Sequence, residues 1–218
     1  MIKSNLRFAV KLIAVFMVAS PFVLLAQPDS PSSPSDAPAR YLTIMGFMLG
    51  TNTLADVQAQ LEASPVTQCS HAEEASKELC YLGNDGTRVV FESGFSGGWS
   101  KLDAYKVIGR DVGDRCYLSC ARTTRVAGAD VESVSDLRLG MSRKLLLARL
   151  GQPKTTKGGK LVFQWHSRQR MTKEQVESAS KTFKNPVTDP YYDVQDTIKV
   201  TLSQSKVVEF EVEHLVTF

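Results

Sequence analysis

The sequence predicts an α+β fold: two tandem repeats, each a short helix followed by antiparallel strands, with the helices packed on one side of a sheet. The first observation behind this is internal similarity. Leu49 to Leu61 and Leu139 to Gly151 match at an offset of about 89 residues, each opening on a Leu-Gly corner and continuing into apolar positions four apart, Val57 with Leu61 and Leu146 with Leu150. The second is a hydroxyl residue where each helix would begin. Thr53, with Asp56 three residues on, approximates a capping box, and Ser142 is a simpler N-cap. A side-chain oxygen there accepts from one of the first helical N–H groups, which have no partner within the helix. The third is strand character after each helix, and helix followed by strands twice in succession indicates α+β.

From the amino terminus, residues 1–26 read as an export signal, with Lys3, Arg7 and Lys11 ahead of an apolar run from Leu12 to Ala26. As a helix that run spans roughly 22 Å, short of a hydrocarbon core of about 30 Å, and Pro21 weakens it further. Cleavage after Ala26 therefore fits better than a retained anchor, and no cysteine stands near that point to carry a lipid. Residues 27–40 hold four prolines, four serines and no large apolar side chain, the composition of a disordered linker.

Repeat 1 is expected over 41–130. Its helix starts after Thr53, strands at Glu78–Leu82 and Thr87–Phe91 flank an Asp85-Gly86 turn, and a further strand covers Lys101–Ile108. Repeat 2 is expected over 131–218. Gly151 and Pro153 close its first helix, strands follow at Lys160–Trp165, Asp196–Leu202 and Val207–Val216, and Thr172 and Gln175 open an extra helix over 172–183.

The formal charge of +3 lies in the signal, so the mature chain is close to neutral. Distribution says more: residues 141–184 carry 11 basic side chains against 2 acidic. That block is either a solvated face neutralised by its neighbours or a surface for an anionic partner, which makes a cell-envelope structural factor one functional class. No nucleic-acid reader motif accompanies it. Cys69, Cys80, Cys116 and Cys120 are even in number and are expected to pair in an oxidising compartment, periplasmic or extracellular. Short loops favour Cys69–Cys80 with Cys116–Cys120. The second pair requires a turn or coil, because residues four apart in a strand lie about 13 Å apart, and a strand there favours cross-pairing instead.

Leu139-Gly140-Met141-Ser142, with Leu146, Leu150-Gly151 and Pro153, resembles the signature of the small lipoprotein of the outer-membrane β-barrel assembly machine. The tandem arrangement is similar to that of the β-lactamase inhibitory protein family. The resemblance covers roughly 44–108 and 134–166 and is looser in the first repeat, where Thr51 replaces the usual Met and Glu62 the usual Gly. It implies an exported protein-binding domain, a disulfide between Cys69 and Cys80 closing the loop after the first helix, and a hairpin whose Asp85 enters a target protein.

Gly94-Phe95-Ser96-Gly97-Gly98 matches the G-x-S-x-G pattern of serine hydrolases, with His166 or His214 downstream as a base. That chemistry needs the serine on a strand-to-helix turn, whereas the residues after it are strand-like. Phe95 and Trp99 among glycines, together with Trp165 and Tyr192, are candidate contact residues, since aromatic side chains anchor protein interfaces. The histidines lack metal-ligand spacing and no phosphate or dinucleotide loop is present, so neither metal nor cofactor is expected. The function the sequence favours is an exported, non-enzymatic domain that binds a partner protein through Asp85, Phe95, Trp99, Trp165 and Tyr192. A Ser96 hydrolase and the structural factor are the alternatives.

Overall fold

The computed structural model describes residues 39–61, 76–94, 100–113, 120–126, 131, 137–184 and 186–217. Their elements, in chain order, are β1 (Thr43–Ile44), β2 (Phe47–Met48), α1 (Leu54–Leu61), β3 (Lys77–Leu82), β4 (Arg88–Ser93), β5 (Ala104–Ile108), β6 (Ala121–Arg122), α2 (Arg143–Leu150), β7 (Thr155–Lys157), β8 (Lys160–Arg170), α3 (Lys173–Phe183), β9 (Tyr191–Ser203) and β10 (Lys206–Thr217). β1 and β2 pair with each other. The other eight strands form one sheet in the order β6-β3-β4-β5-β10-β9-β8-β7, antiparallel except for the parallel pair β3 and β6.

This corrects the expected architecture. The chain is mostly β, built on one large mixed sheet, and is not two helix-plus-strand repeats. The shared Leu-Gly and cap signals do precede α1 and α2, but they describe only eight-residue helices. The strands beyond the two helices differ. Residues after α1 supply three short antiparallel strands and the parallel β6, whereas residues after α2 supply the three-residue β7 and strands of 11, 13 and 12 residues, with α3 inserted between β8 and β9. A cap fixes where a helix starts and carries no information about the sheet beyond it.

The caps themselves form. Asp56 Oδ2 accepts from Thr53 N–H at 2.7 Å while Thr53 Oγ1 accepts from Asp56 N–H at 3.2 Å. Ser142 accepts from Leu145 N–H, and Thr172 and Gln175 complete a reciprocal box at the start of α3.

Paired residues on neighbouring strands share a face, so the register defines both surfaces of the sheet. One face carries the rows Leu79, Phe91, Tyr105, Val212, Ile198, Phe163 and Tyr81, Val89, Val107, Phe210, Val200, Leu161. Leu54, Val57 and Leu61 of α1 and Leu146 and Leu150 of α2 join these rows in one buried cluster. Tyr105 is fully buried there, and its hydroxyl donates to Tyr41 O at 2.5 Å. That bond satisfies a polar atom that would otherwise be costly to bury.

The opposite face is charged. Lys106 on β5 lies between Glu92 of β4 and Glu211 of β10, at 3.7 and 3.6 Å, and Lys199 of β9 bonds both Glu211 and Glu213. Burial pushes the Glu92 carboxyl up to about 7, against the pull of Lys106. Burial and neighbouring Glu211 raise Glu213, while Lys106, the Glu213 hydrogen bond and Lys199 outweigh burial and hold Glu211 low. Beside this ladder, Cys80, Val90 and Ile108 form a small apolar cluster against Val112 and Cys120.

Cys80 and Cys120 are disulfide-bonded, with Cα atoms 4.6 Å apart. This overturns local pairing of Cys80 with Cys69 and of Cys120 with Cys116. Cys120 immediately precedes β6, whose parallel pairing with β3 brings it beside Cys80. Cys69 and Cys116 lie outside the described residues.

Peptide mapping without reduction should recover a Cys80–Cys120 peptide. Chain entropy for a 40-residue separation makes Cys120→Ser cost up to about 4 kcal/mol in denaturant unfolding. The carboxyls Glu92 and Glu213, raised in the folded state, hold protons that the unfolded chain releases between about pH 4.5 and 7, so stability falls as pH rises through that window. The fall should be up to about 3 kcal/mol for each carboxyl, and Glu92→Gln should remove about half of it, as read by urea titrations at several pH values.

Candidate functional site

Beyond the two apolar rows, the helix-bearing face turns polar towards one end of the sheet. The next row is Trp165, Asp196 and His214, followed by Ser167, Val194 and Val216, and then Gln169 and Tyr192. His214 Nδ1 stands 2.7 Å from Asp196 Oδ1. A carboxylate only accepts, so the ring N–H donates to it and leaves Nε2 directed elsewhere. His214 N–H also donates to Asp103 O at 2.8 Å, which carries the pairing of β10 along the chain before β5, and Asp103 Oδ2 accepts from Gly94 N–H at 2.8 Å. Tyr192 Oη donates to Gln169 Oε1 at 2.8 Å.

Asp103, Tyr192 and His214 line a cleft of about 240 Å³, with Gln169, Gln175 of α3, Lys101, Leu102, Gly50, Val194 and Val216. Gly50 explains one wall. Its φ is +71°, and a Cβ there would lie 3.0 Å from His214 Cδ2 and 3.1 Å from Nε2, so both the backbone turn and the approach of the ring call for glycine. The cleft is smaller than the roughly 300–1,000 Å³ of sites that enclose a small-molecule ligand, and it suits one inserted side chain. Its walls combine Val194, Val216 and Leu102 with hydrogen-bonding groups of both polarities. Among the described residues no group of three His, Cys, Asp or Glu is placed to hold a metal ion.

The structure brings two of the sequence candidates to this end. Tyr192 lines the cleft, and Trp165 packs against the main core beside Asp196. Asp85 lies at the opposite end of β4, where its carboxylate accepts from Thr87 N–H and Oγ1 at 3.0 and 3.1 Å and its carbonyl accepts from Arg110 Nε–H. Its observed contacts shape the hairpin turn. Phe95, Ser96 and Trp99 lie outside the described residues, although the chain that flanks them, Gly94 and Lys101 to Asp103, reaches this end of the sheet. Of the two histidines considered as a base, His166 is exposed and His214 is the one held by an aspartate.

Sequence reasoning missed Asp196, Asp103 and Gln175. A signal existed for the first: His214 alternates in phase with Phe210 and Val212, so it belongs on the buried face, where a polar side chain requires a partner.

No protein-family model, no curated protein and no solved structure matches the chain.

His214→Ala strands the Asp196 carboxylate, 7% exposed, without its ring partner. The substitution should cost about 2–3 kcal/mol in denaturant unfolding, and His214→Asn should recover part of that loss.

Proposed function

We propose that the chain is an exported, non-enzymatic protein-binding domain, and that the cleft end of its sheet receives a side chain of the partner. The cleft carries this reading: it is side-chain-sized, it is lined by Tyr192 and the His214 ring, and it lies where the ends of the Gly94–Asp103 connection converge. Tyrosine at such a rim supplies apolar area together with a hydrogen-bonding tip. The Cys80–Cys120 disulfide supports an oxidising compartment, as do the signal-like residues 1–26. Among the described residues no helix is long and apolar enough to cross a membrane.

A Ser96 hydrolase is the second reading, because a hydrogen-bonded Asp196–His214 pair follows Ser96 in the chain order of α/β-hydrolases. Against it, the G-x-S-x-G stretch connects two antiparallel strands, β4 and β5, where the elbow needs a strand leading into a helix.

The test is capture from envelope and culture-fluid extracts, followed by titration of the protein recovered. Tyr192→Ala should weaken its binding by about tenfold without shifting the thermal midpoint by more than a few degrees, as for an interface anchor. Equal affinity for wild type, Tyr192→Ala and Trp99→Ala removes this end of the sheet from the account. Labelling of wild type but not Ser96→Ala by a serine-directed phosphonate probe would favour the hydrolase.

A further inference from the structure

β8 is paired with β9 along its whole length, from Lys160 to Arg170, but β7 covers its other side only as far as Val162. The register shows which backbone groups this leaves open. Val162 O accepts from Lys154 N–H at 2.8 Å, so Val162 points its peptide groups towards β7. Peptide groups alternate sides along a strand, which directs those of Gln164, His166, Arg168 and Arg170 away from β9. Among the described residues none of these four has a backbone partner on that side. The segment from His166 to Arg170 is exposed at every position.

An open row of alternating donors and acceptors is a template for another strand, and the side chains beside it define which strand fits. On the face that bears the charged ladder the edge carries His166, Arg168 and Arg170, with Lys154, Lys157 and Lys160 near β7. Lys160 is paired with Glu209, and Arg168 lies against Asp189, Asp193 and the Tyr191 ring. Arg168 and both aspartates are more than half exposed, so those pairs are weak and open to exchange. Lys157 and Arg170 make no ion pair among the described residues. A second copy is a poor occupant: edge-to-edge pairing would set this basic stretch against itself, and like charges on facing strands repel. On the helix-bearing face the same edge presents Trp165, Ser167 and Gln169.

We propose that the open edge of β8, from Gln164 to Arg170, takes an extended acidic segment of a partner protein as a further strand, with carboxylates towards Arg168 and Arg170 and apolar or hydroxyl side chains towards Trp165 and Ser167. This rests on the protein-binding reading and specifies the partner's contacting segment. The added strand would lie at the same end of the sheet as the cleft, since Gln169 belongs to both.

Amide hydrogen exchange on the full chain tests it, with a short peptide of alternating Glu and Val as the probe and its Lys and Val counterpart as the control. In the free protein the amides of Gln164, His166, Arg168 and Arg170 exchange fast, while those of Trp165 and Ser167, bonded to β9, exchange slowly. The glutamate peptide should slow the first set at least about tenfold, less so as salt is added, and the lysine peptide should not. His166→Pro removes one outward N–H and spares the β9 ladder, so it should abolish peptide protection and leave the thermal midpoint within a few degrees. Slow exchange of all four outward amides in the free protein overturns the proposal. So does peptide binding without their protection, since charge alone then explains the contact. A captured partner that binds His166→Pro as well as wild type overturns the edge and leaves the protein-binding reading standing. Peptide protection with no envelope protein captured supports the edge and sinks that reading.

Discussion

The pairing of β5 with β10 is the seam on which the molecule depends. Ala104–Ile108 lie against Glu209–Glu213, segments about a hundred residues apart in the chain. Closing a loop of that length costs entropy before any contact rewards it, so the seam must be strong on both of its faces. On one face it sets Tyr105 and Val107 against Val212 and Phe210, with the Tyr105 and Phe210 rings edge-on at 6.4 Å. On the other it seats Lys106 between carboxylates of two neighbouring strands.

The same pairing sets the character of each end of the sheet. Along β10 the buried positions Phe210 and Val212 give way to His214, and across from it, on the chain leading into β5, stands Asp103, whose carbonyl accepts from His214 N–H. There the apolar rows end and hydrogen-bonding groups begin, which is how a packed core opens into a polar cleft without a break in the strands. The charged ladder lines the opposite face, on which no helix packs among the described residues. Its carboxyls share Lys106 and Lys199, and burial lets Glu92 and Glu213 keep their protons to a higher pH than free carboxyls while Glu211 is held low.

Local signals were legible in the sequence. Thr53 with Asp56, Ser142, and Thr172 with Gln175 mark helix starts that the structure bears out, and the Asp85-Gly86 turn joins β3 to β4. The strands beyond them were legible only in part. β8 runs to Arg170, five residues past the apolar Trp165, because its exposed half is strand by pairing with β9 and not by composition. β9 likewise begins at Tyr191 and carries Asp193, Gln195 and Lys199 among its apolar residues. The apparent duplication misled because a Leu-Gly corner and a cap report on one turn of backbone, whereas a sheet is decided by partners far away in sequence. The Cys80–Cys120 bond escaped for the same reason: β6 is two residues long, and its place beside β3 is set by tertiary packing. The His214–Asp196 pair was half legible, visible in the parity of β10 but not in any motif.

Native-state hydrogen exchange across a denaturant series measures the seam directly. If β5 and β10 join the strands into one cooperative sheet, the slowest amides of β4, such as Phe91, and of β9, such as Ile198, converge on the same opening free energy and the same denaturant dependence. Two distinct plateaus, one for β3 to β5 and another for β8 to β10, would show that the two sets open independently and that the β5–β10 pairing does not hold the fold together.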